Sequence, residues 1–212
     1  MVASEVRALF AVASRPEIVS LAGGMPNVSA LPMDAVASMM AELVMQHGPV
    51  ALQYGSAQGD ASLRETICTV MAVEGIDARP DDVVVTVGSR QALDLVARVF
   101  LDPGDTVVTQ GPTYVTALGT FAAYQARAVH VDMDERGVLP EAPAETFARL
   151  ERAGRPATLF YTVPAFQNPA GVTLAAVRAA WSCRCSPGPG RSRGALTLDR
   201  GHRLSCGSGQ RS

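Results

Sequence analysis

The sequence contains no lysine, because all 18 of its Lys and Arg residues are arginine. A lysine amine is therefore excluded as a nucleophile and as a covalent anchor for a carbonyl compound. No apolar run approaches the roughly 18 residues that a membrane-spanning helix needs. The first 17 residues also lack the basic-then-apolar grading of an export signal, so we expect a cytoplasmic protein.

Charge and cysteine use exclude several kinds of partner and site. The formal net charge is −2 and the pI is about 5.9, which gives no electrostatic case for nucleic acid or a membrane surface. Three of the four cysteines, Cys183, Cys185 and Cys206, lie beyond residue 180 without the C-x₂₋₄-C spacing of structural zinc sites. We predict no metal site, and no disulfide in a chain without an export signal.

Hydrophobic residues make up 48% of the chain and charged residues 18%, which is enough to bury the core of one domain. Between residues 18 and 180, β-branched apolar runs alternate with amphipathic stretches, the pattern of βαβ units and a parallel sheet. The sequence therefore predicts an α/β fold. The predicted strands are residues 83–87, 106–109, 127–131 and 158–163, and the predicted helices are residues 32–47, 62–74, 89–100, 113–124 and 143–153. Met39, Met40 and Met45 are expected to fill the core.

The alternating pattern ends near residue 180. Residues 181–212 show neither helical nor strand periodicity, and Gly, Pro and Ser supply 14 of these 32 positions. This segment contains six arginines and only one acidic residue, Asp199. We predict a disordered basic tail that is not homologous to the preceding domain. Its composition is typical of G+C-rich DNA read out of frame, so the leading hypothesis is a frameshift, with an authentic divergent tail as the alternative.

Three loops carry residues suited to a ligand that bears a phosphate. Gly88-Ser89-Arg90-Gln91 leads from a predicted strand into a helix, where free backbone N–H groups attract an anion; a purely structural turn is the alternative. Tyr114, in Gly111-Pro112-Thr113-Tyr114, and Asn168, in Asn168-Pro169-Ala170-Gly171, follow later strands at the edge where open α/β sheets bind ligands. Tyr114 alone suits core packing as well as stacking. The G-x-G-x-x-G and Walker patterns are absent from these loops, which argues against NAD and ATP.

Taken together, these loops carry a family resemblance. It also rests on residues 18–27 (IVSLAGGMPN), 52–59 (LQYGSAQG) and 63–65 (LRE). In this order and at these spacings, the segments resemble the N-terminal part of the class I/II aminotransferases, pyridoxal-phosphate-dependent enzymes of fold type I, over residues 1–180. The opening segment is most similar to the aminoadipate and kynurenine aminotransferase branch, which includes the aminotransferase-like domains of certain winged-helix regulators.

The resemblance implies a cofactor site made of named residues. Ser89, Arg90 and Gln91 would hold the phosphate of pyridoxal 5'-phosphate, Tyr114 would stack on its ring, and Asn168 would bond to its phenolic oxygen and lie near the substrate. Tyr54 would reach the cofactor of a second subunit, since family members are dimers. Gly24 would lie beside the amino acid or 2-oxo acid substrate. Arg90 and Gln110-Gly111 depart from the residues that are usual at their positions.

The resemblance also shows what the chain lacks. The family uses a lysine to anchor the cofactor as a Schiff base and to move the substrate's α-proton, and the Asp that pairs with the pyridine nitrogen would lie beyond residue 180. We therefore expect no turnover. The large domain would have an incomplete, mostly parallel sheet with helices on both faces, in which only the predicted strands 106–109 and 127–131 are neighbours. Two alternatives remain: a non-catalytic fragment that binds the cofactor or dimerises, and a fragment of a winged-helix regulator.

Overall fold

A computed structural model describes residues 28–73, 76–175 and 178, the single positions 12, 15, 17 and 18, and the backbone of residues 194–197. The chain divides into two compact units, residues 1–67 with 79–85, and residues 68–78 with 86–212. In its described part the first unit is helical, whereas the second holds the sheet. None of the described helices is long and apolar enough to cross a membrane.

The first unit holds helix α1 (Met33–Ala51) and the beginning of α2 (Ala61–Val73), with short 3₁₀ helices at Val28–Ala30 and Pro80–Asp82. The expectation that the methionines of α1 fill a core is wrong for the described structure. Met39 is 60% exposed, Met40 63% and Met45 86%. The apolar residues of α1 are spread around the helix, so cover on one face would not bury them all.

Gly59 fixes the chain path in the first unit. Its φ is +100°, and a Cβ atom there would lie 2.6 Å from the Cβ of Val85, closer than real side chains approach. The Val85 N–H donates to the Gln58 carbonyl at 2.8 Å, and the Arg64 guanidinium donates to the Pro80 carbonyl at 2.6 Å. Residues 79–85 are therefore held against the segment that precedes α2.

Residues 83–87 do not form the strand that the sequence predicts. Val84 is 52% exposed and Val87 is 90% exposed, and no strand of the described chain pairs with this segment. A β-branched run has the local preference for extended backbone, but a strand also needs a neighbour to pair its backbone groups. The run therefore serves as an extended lead into the next helix.

The second unit is an α/β layer structure, as the sequence predicts. Its elements are α3 (Gly88–Phe100), β1 (Thr106–Gly111), α4 (Val115–Ala123), β2 (Arg127–Asp134), β3 (Gly137–Val138), α5 (Glu141–Arg152), β4 (Ala157–Thr162) and β5 (Gly194–Thr197). The strand order is β3-β2-β1-β4-β5. All neighbours are parallel except the short β2–β3 pair. The observed helix bounds agree with the bounds predicted from the sequence to within a few residues.

Two of the sheet expectations are wrong. β1 pairs with β4 as well as with β2, so three of the predicted strands are neighbours rather than two. The second correction concerns only residues 194–197 of the tail, which were expected to be disordered with the rest of it. Residues 194–197 form β5, parallel to β4 with Leu159 opposite Gly194. Ala195, Leu196 and Thr197 give this stretch local strand character, although the surrounding composition carries no periodic signal.

Helices cover both faces of the sheet. On one face, α3 and α4 pack against β1 and β4 through a cluster that contains Leu93, Ala97, Val107, Phe121 and Tyr161. The rings of Phe121 and Tyr161 meet edge to face with centroids 5.6 Å apart. On the other face, α5 packs through Leu150 against a cluster of Val108, Val131, Ala157 and Phe160. β1 is thus buried from both sides, as its β-branched sequence predicts.

The aromatic contact in this core gives a stability prediction. Phe121 is almost fully buried, so Phe121→Ala removes its packing and leaves a cavity that costs about 3 to 5 kcal/mol of unfolding free energy. Phe100→Ala is the matched control, because Phe100 is 42% exposed at the end of α3. Urea unfolding followed by circular dichroism measures both variants. Equal losses for the two would contradict this placement of the core.

Candidate functional site

The carboxyl ends of β1 and β4 lie side by side. These strands are parallel neighbours, so the loops that follow them leave the sheet at the same edge. α3 leads into β1 through a tight turn at Gly104 and packs on the face of β1 and β4 through Leu93 and Ala97. The edge therefore brings together the Tyr114 loop and the Asn168 turn, two of the three loops that the sequence singled out separately.

The N-terminus of α3 offers donors to an anion. Gly88 has φ +76° and open space where a Cβ would be, so the backbone is accessible from solvent. Ser89, Arg90 and Gln91 are all exposed in the first turn. The Gln91 side-chain oxygen accepts the Val87 N–H at 2.5 Å, which leaves its amide nitrogen as the remaining donor. Unpaired backbone N–H groups, a hydroxyl and a guanidinium fit a phosphate group.

Tyr114 lies three residues beyond β1, at the residue that precedes α4. It is half-buried and packs against the cluster that α3 and α4 form on the sheet. Burial, and to a lesser degree the neighbouring Tyr114, raise the pKa of the Tyr161 hydroxyl. That hydroxyl is buried without a hydrogen-bond partner in the described structure. A partly exposed ring on a packed support is a surface on which a flat heterocycle can stack.

Asn168 lies in a tight turn beyond β4. The turn closes where the Gly171 N–H donates to the Gln167 carbonyl at 2.5 Å, and Gly171 has φ +72°. Asn168 is half-buried, and its side-chain amide offers both a donor and an acceptor. The structure therefore brings Asn168 to the sheet edge that also carries Tyr114, as the sequence predicts for both residues.

Gln167 is a residue of this edge that sequence reasoning missed. Its side-chain nitrogen donates to the Pro112 carbonyl at 2.7 Å, and its oxygen accepts the Ala170 N–H at 2.8 Å. The Tyr114 loop and the Asn168 turn are thereby joined through one buried side chain. A glutamine beside an Asn-Pro turn carries no periodic or motif signal for burial, since most glutamines are exposed.

Gln110 joins the ends of the two strands. Its side-chain oxygen accepts hydrogen bonds from the Thr162 hydroxyl and from the Val163 N–H. Its side-chain nitrogen is buried without a partner in the described structure. Gln110 and Gln167 also line one narrow crevice, which has no room for a water molecule.

Arg178 fastens the segment that follows the turn. Its guanidinium bonds to both carboxylate oxygens of Asp134, at 2.6 and 2.9 Å, and to the Gly137 carbonyl at 3.0 Å. The Arg178 hydrogen bond, aided by the Arg136 N–H, lowers the pKa of Asp134 to about 2. Leu174 packs on Gly137, where a Cβ would come within 2.7 Å of it. The chain beyond the turn is therefore clamped to the β2–β3 hairpin.

The structure does not bring every predicted residue to this edge. Tyr54 belongs to the first unit and is fully exposed, and its predicted role is a contact with a second subunit. Gly24 lies outside the described residues. No group of three or more His, Cys, Asp or Glu side chains in the described structure could hold a metal ion.

Comparison with known proteins identifies relatives of the chain. The family model for aminotransferase class I and II matches residues 16–174. Aromatic-amino-acid aminotransferase 1 of Thermococcus litoralis is 38% identical over 175 residues, which cover 82% of this chain and 42% of that protein. The 2-aminoadipate transaminase of Thermus thermophilus is 39% identical over 169 residues, which cover 80% and 40%.

A solved structure gives the same result for the fold. The crystal structure of kynurenine aminotransferase from Pyrococcus horikoshii, in complex with PMP, aligns with a TM-score of 0.80 and 40% identity. The alignment covers 87% of this chain and 46% of that one. The chain thus spans less than half the length of these relatives, and the expected resemblance and fold are confirmed.

The acceptor role of Gln110 gives a second prediction. Gln110→Leu keeps the volume but leaves the Thr162 hydroxyl and the Val163 N–H unpaired in a buried place, which costs about 1 to 3 kcal/mol for each group. We expect a loss of at least about 2 kcal/mol in urea unfolding. Gln46→Leu, on exposed α1, is the control and should change stability by less than about 0.5 kcal/mol. A neutral Gln110→Leu would contradict the bonding described here.

The clamp predicts a pH dependence. The pKa of Asp134 in the folded chain, about 2, lies below the ordinary value of about 3.9, so its stabilising effect is complete above pH 4 and is lost as the pH falls toward 2. Asp134→Asn should lower the urea midpoint at pH 7, and its difference from wild type should shrink between pH 4 and pH 2. Asp132→Asn, exposed on the same strand, is the control. A pH-independent difference would refute the ion pair.

Proposed function

This chain belongs to the class I and II aminotransferases, and we propose that its second unit binds the phosphate and ring of pyridoxal phosphate without performing transamination by itself. The observation that carries the proposal is the convergence of the Tyr114 loop and the Asn168 turn at one sheet edge, in the unit that also holds the exposed N-terminus of α3. The residues present fit the cofactor's two recognisable parts, an anionic phosphate and a flat, polar heterocycle.

Each group of residues has a stated task in this proposal. The backbone N–H groups of the first turn of α3, the Ser89 hydroxyl and the Gln91 amide donate to the phosphate, and Arg90 adds a cation that the helix N-terminus does not otherwise supply. Tyr114 supports one face of the ring. Asn168 donates from its amide to the ring's phenolic oxygen. When bound, the cofactor supplies an electron sink for negative charge at the substrate's α-carbon.

The absence of lysine separates binding from chemistry. Transamination requires an amine that holds the cofactor covalently and a base that moves the proton at the substrate's α-carbon, and lysine performs both tasks in such enzymes. This chain has none. We therefore propose that the chain holds the cofactor reversibly through phosphate and ring contacts, and that amino transfer between an amino acid and a 2-oxo acid belongs to longer relatives.

Subunit contacts and the origin of the tail belong to the same proposal. We propose that the chain is cytoplasmic and that it forms homodimers, with Tyr54 reaching the second subunit; the full exposure of Tyr54 supports such a contact. Gly24 is assigned to the substrate side by its match to the family motif.

We propose further that residues 181–212 are a frameshifted segment, which is supported by their composition and by a family match that ends at residue 174.

Binding of pyridoxamine 5'-phosphate to the full chain tests the proposal. This ligand lacks the aldehyde of pyridoxal phosphate, so it reports reversible contacts without reaction at the chain's α-amino group. We expect saturable binding in equilibrium dialysis, weakened several-fold by Arg90→Ala and weakened further by salt, since exposed charges are screened. Arg149→Ala, an exposed arginine on α5, is the control.

Three results would overturn parts of the proposal separately. A chain that shows no saturable binding does not have the assigned cofactor site. Amino transfer above a blank, with pyridoxal phosphate, an amino donor and 2-oxoglutarate, would refute the assignment of the chain as inactive. If Arg149→Ala weakened the binding of pyridoxamine 5'-phosphate as much as Arg90→Ala does, the phosphate would bind elsewhere on the chain.

A further inference from the structure

Gln167 is a buried side chain whose hydrogen-bonding groups serve two separate loops. It is 2% exposed. Its nitrogen donates to the Pro112 carbonyl, and its oxygen accepts the Ala170 N–H. Its backbone is also engaged, since its N–H donates to the Val172 carbonyl at 2.8 Å and its carbonyl accepts the Gly171 N–H. Gln167 is therefore held at both its backbone and its side chain.

The two loops that Gln167 joins carry the two residues assigned to the cofactor ring. Pro112 lies two residues before Tyr114, and Asn168 directly follows Gln167. These loops are separated by about 55 residues in sequence, and they leave different strands. The phosphate-binding turn at Ser89 is on a third element, α3, to which Gln167 makes no described hydrogen bond. Gln167 thus acts on the ring part of the edge alone.

We propose that Gln167 is a positioning residue that sets the distance between the Tyr114 ring and the Asn168 amide, and so determines the preference of this edge for a pyridine ring over a bare phosphate. The proposal rests on the proposed function of the edge. Only a side chain with one donor and one acceptor in a fixed planar group makes both bonds. Loss of either bond leaves a buried polar group unpaired. Keeping the loops at their present spacing would then cost free energy.

The ligand test compares pyridoxamine 5'-phosphate with inorganic phosphate. We expect wild-type chain to prefer pyridoxamine 5'-phosphate, and Gln167→Leu to lose about tenfold in that affinity while its affinity for inorganic phosphate stays within twofold. Gln46→Leu should leave both affinities unchanged. A general loss of structure would lower the affinity for both ligands together. Equal losses of affinity for the two ligands in Gln167→Leu, or no loss, would therefore overturn the proposal.

The conservative variant Gln167→Glu separates the two bonds. Its ionised carboxylate keeps the acceptor for the Ala170 N–H but has no donor for the Pro112 carbonyl. We expect the preference for pyridoxamine 5'-phosphate to fall at pH 8. It should recover in part as the pH is lowered and the introduced carboxyl gains a proton that it donates to that carbonyl. Unchanged preference at every pH would contradict the donor bond.

Amide hydrogen exchange of the full chain without ligand tests the positioning independently of the cofactor. Gln167→Leu should speed exchange at Ala170, which loses its acceptor, and also at Ala117 and Leu118, whose N–H groups bond to the Tyr114 carbonyl. Ala153, at the end of α5, is the internal control. Faster exchange at Ala170 alone would refute the coupling of the loops. If Gln167→Leu speeds exchange at both loops but the wild-type chain shows no preference for pyridoxamine 5'-phosphate, the proposed function is refuted and the coupling of the loops is established.

Discussion

The parallel pairing of β1 with β4 is the constraint on which the candidate site depends. Because the two strands run in the same direction, the Tyr114 loop and the Asn168 turn leave the sheet at one edge. Gln110 fastens the ends of both strands, and Gln167 fastens the loops beyond them. Neither bond would form if β4 were antiparallel or one strand further from β1. The site is thus a consequence of topology, and its side chains refine what the strand order has already brought together.

Local patterns predicted the elements well and the pairings poorly. The helices follow from apolar spacing, and β1, β2 and β4 follow from short β-branched runs. Residues 83–87 have the same local preference, yet they lack a partner strand among the described residues. The methionines of α1 have helical spacing but no described cover. β5 was missed because only four residues of an unpatterned segment meet β4.

The site residues likewise fall into two groups, those with a local sequence signal and those whose partners are distant in the sequence. Ser89, Tyr114 and Asn168 could be singled out because each stands in a turn with recognisable local chemistry, and the family resemblance assigned their roles. Gln110 and Gln167 act through bonds to residues more than 50 positions away, for which a single sequence has no signal. The clamp between Arg178 and Asp134 is of the same kind. The chain thus carries Ser89, Tyr114 and Asn168 in described turns, and it contains no lysine.

The register of the sheet also has a consequence for the order of folding. Thr106 pairs with Arg127 across about 20 residues, whereas it pairs with Ala157 across about 50. Loop closure costs more entropy as the loop lengthens, so β2 can dock on β1 before β4 arrives. The edge that carries Tyr114 and Asn168 is therefore completed late, after α4, β2 and α5 are in place. A ligand that bound this edge would meet its site only in a nearly finished chain, and by mass action it would stabilise that chain against its partly folded forms.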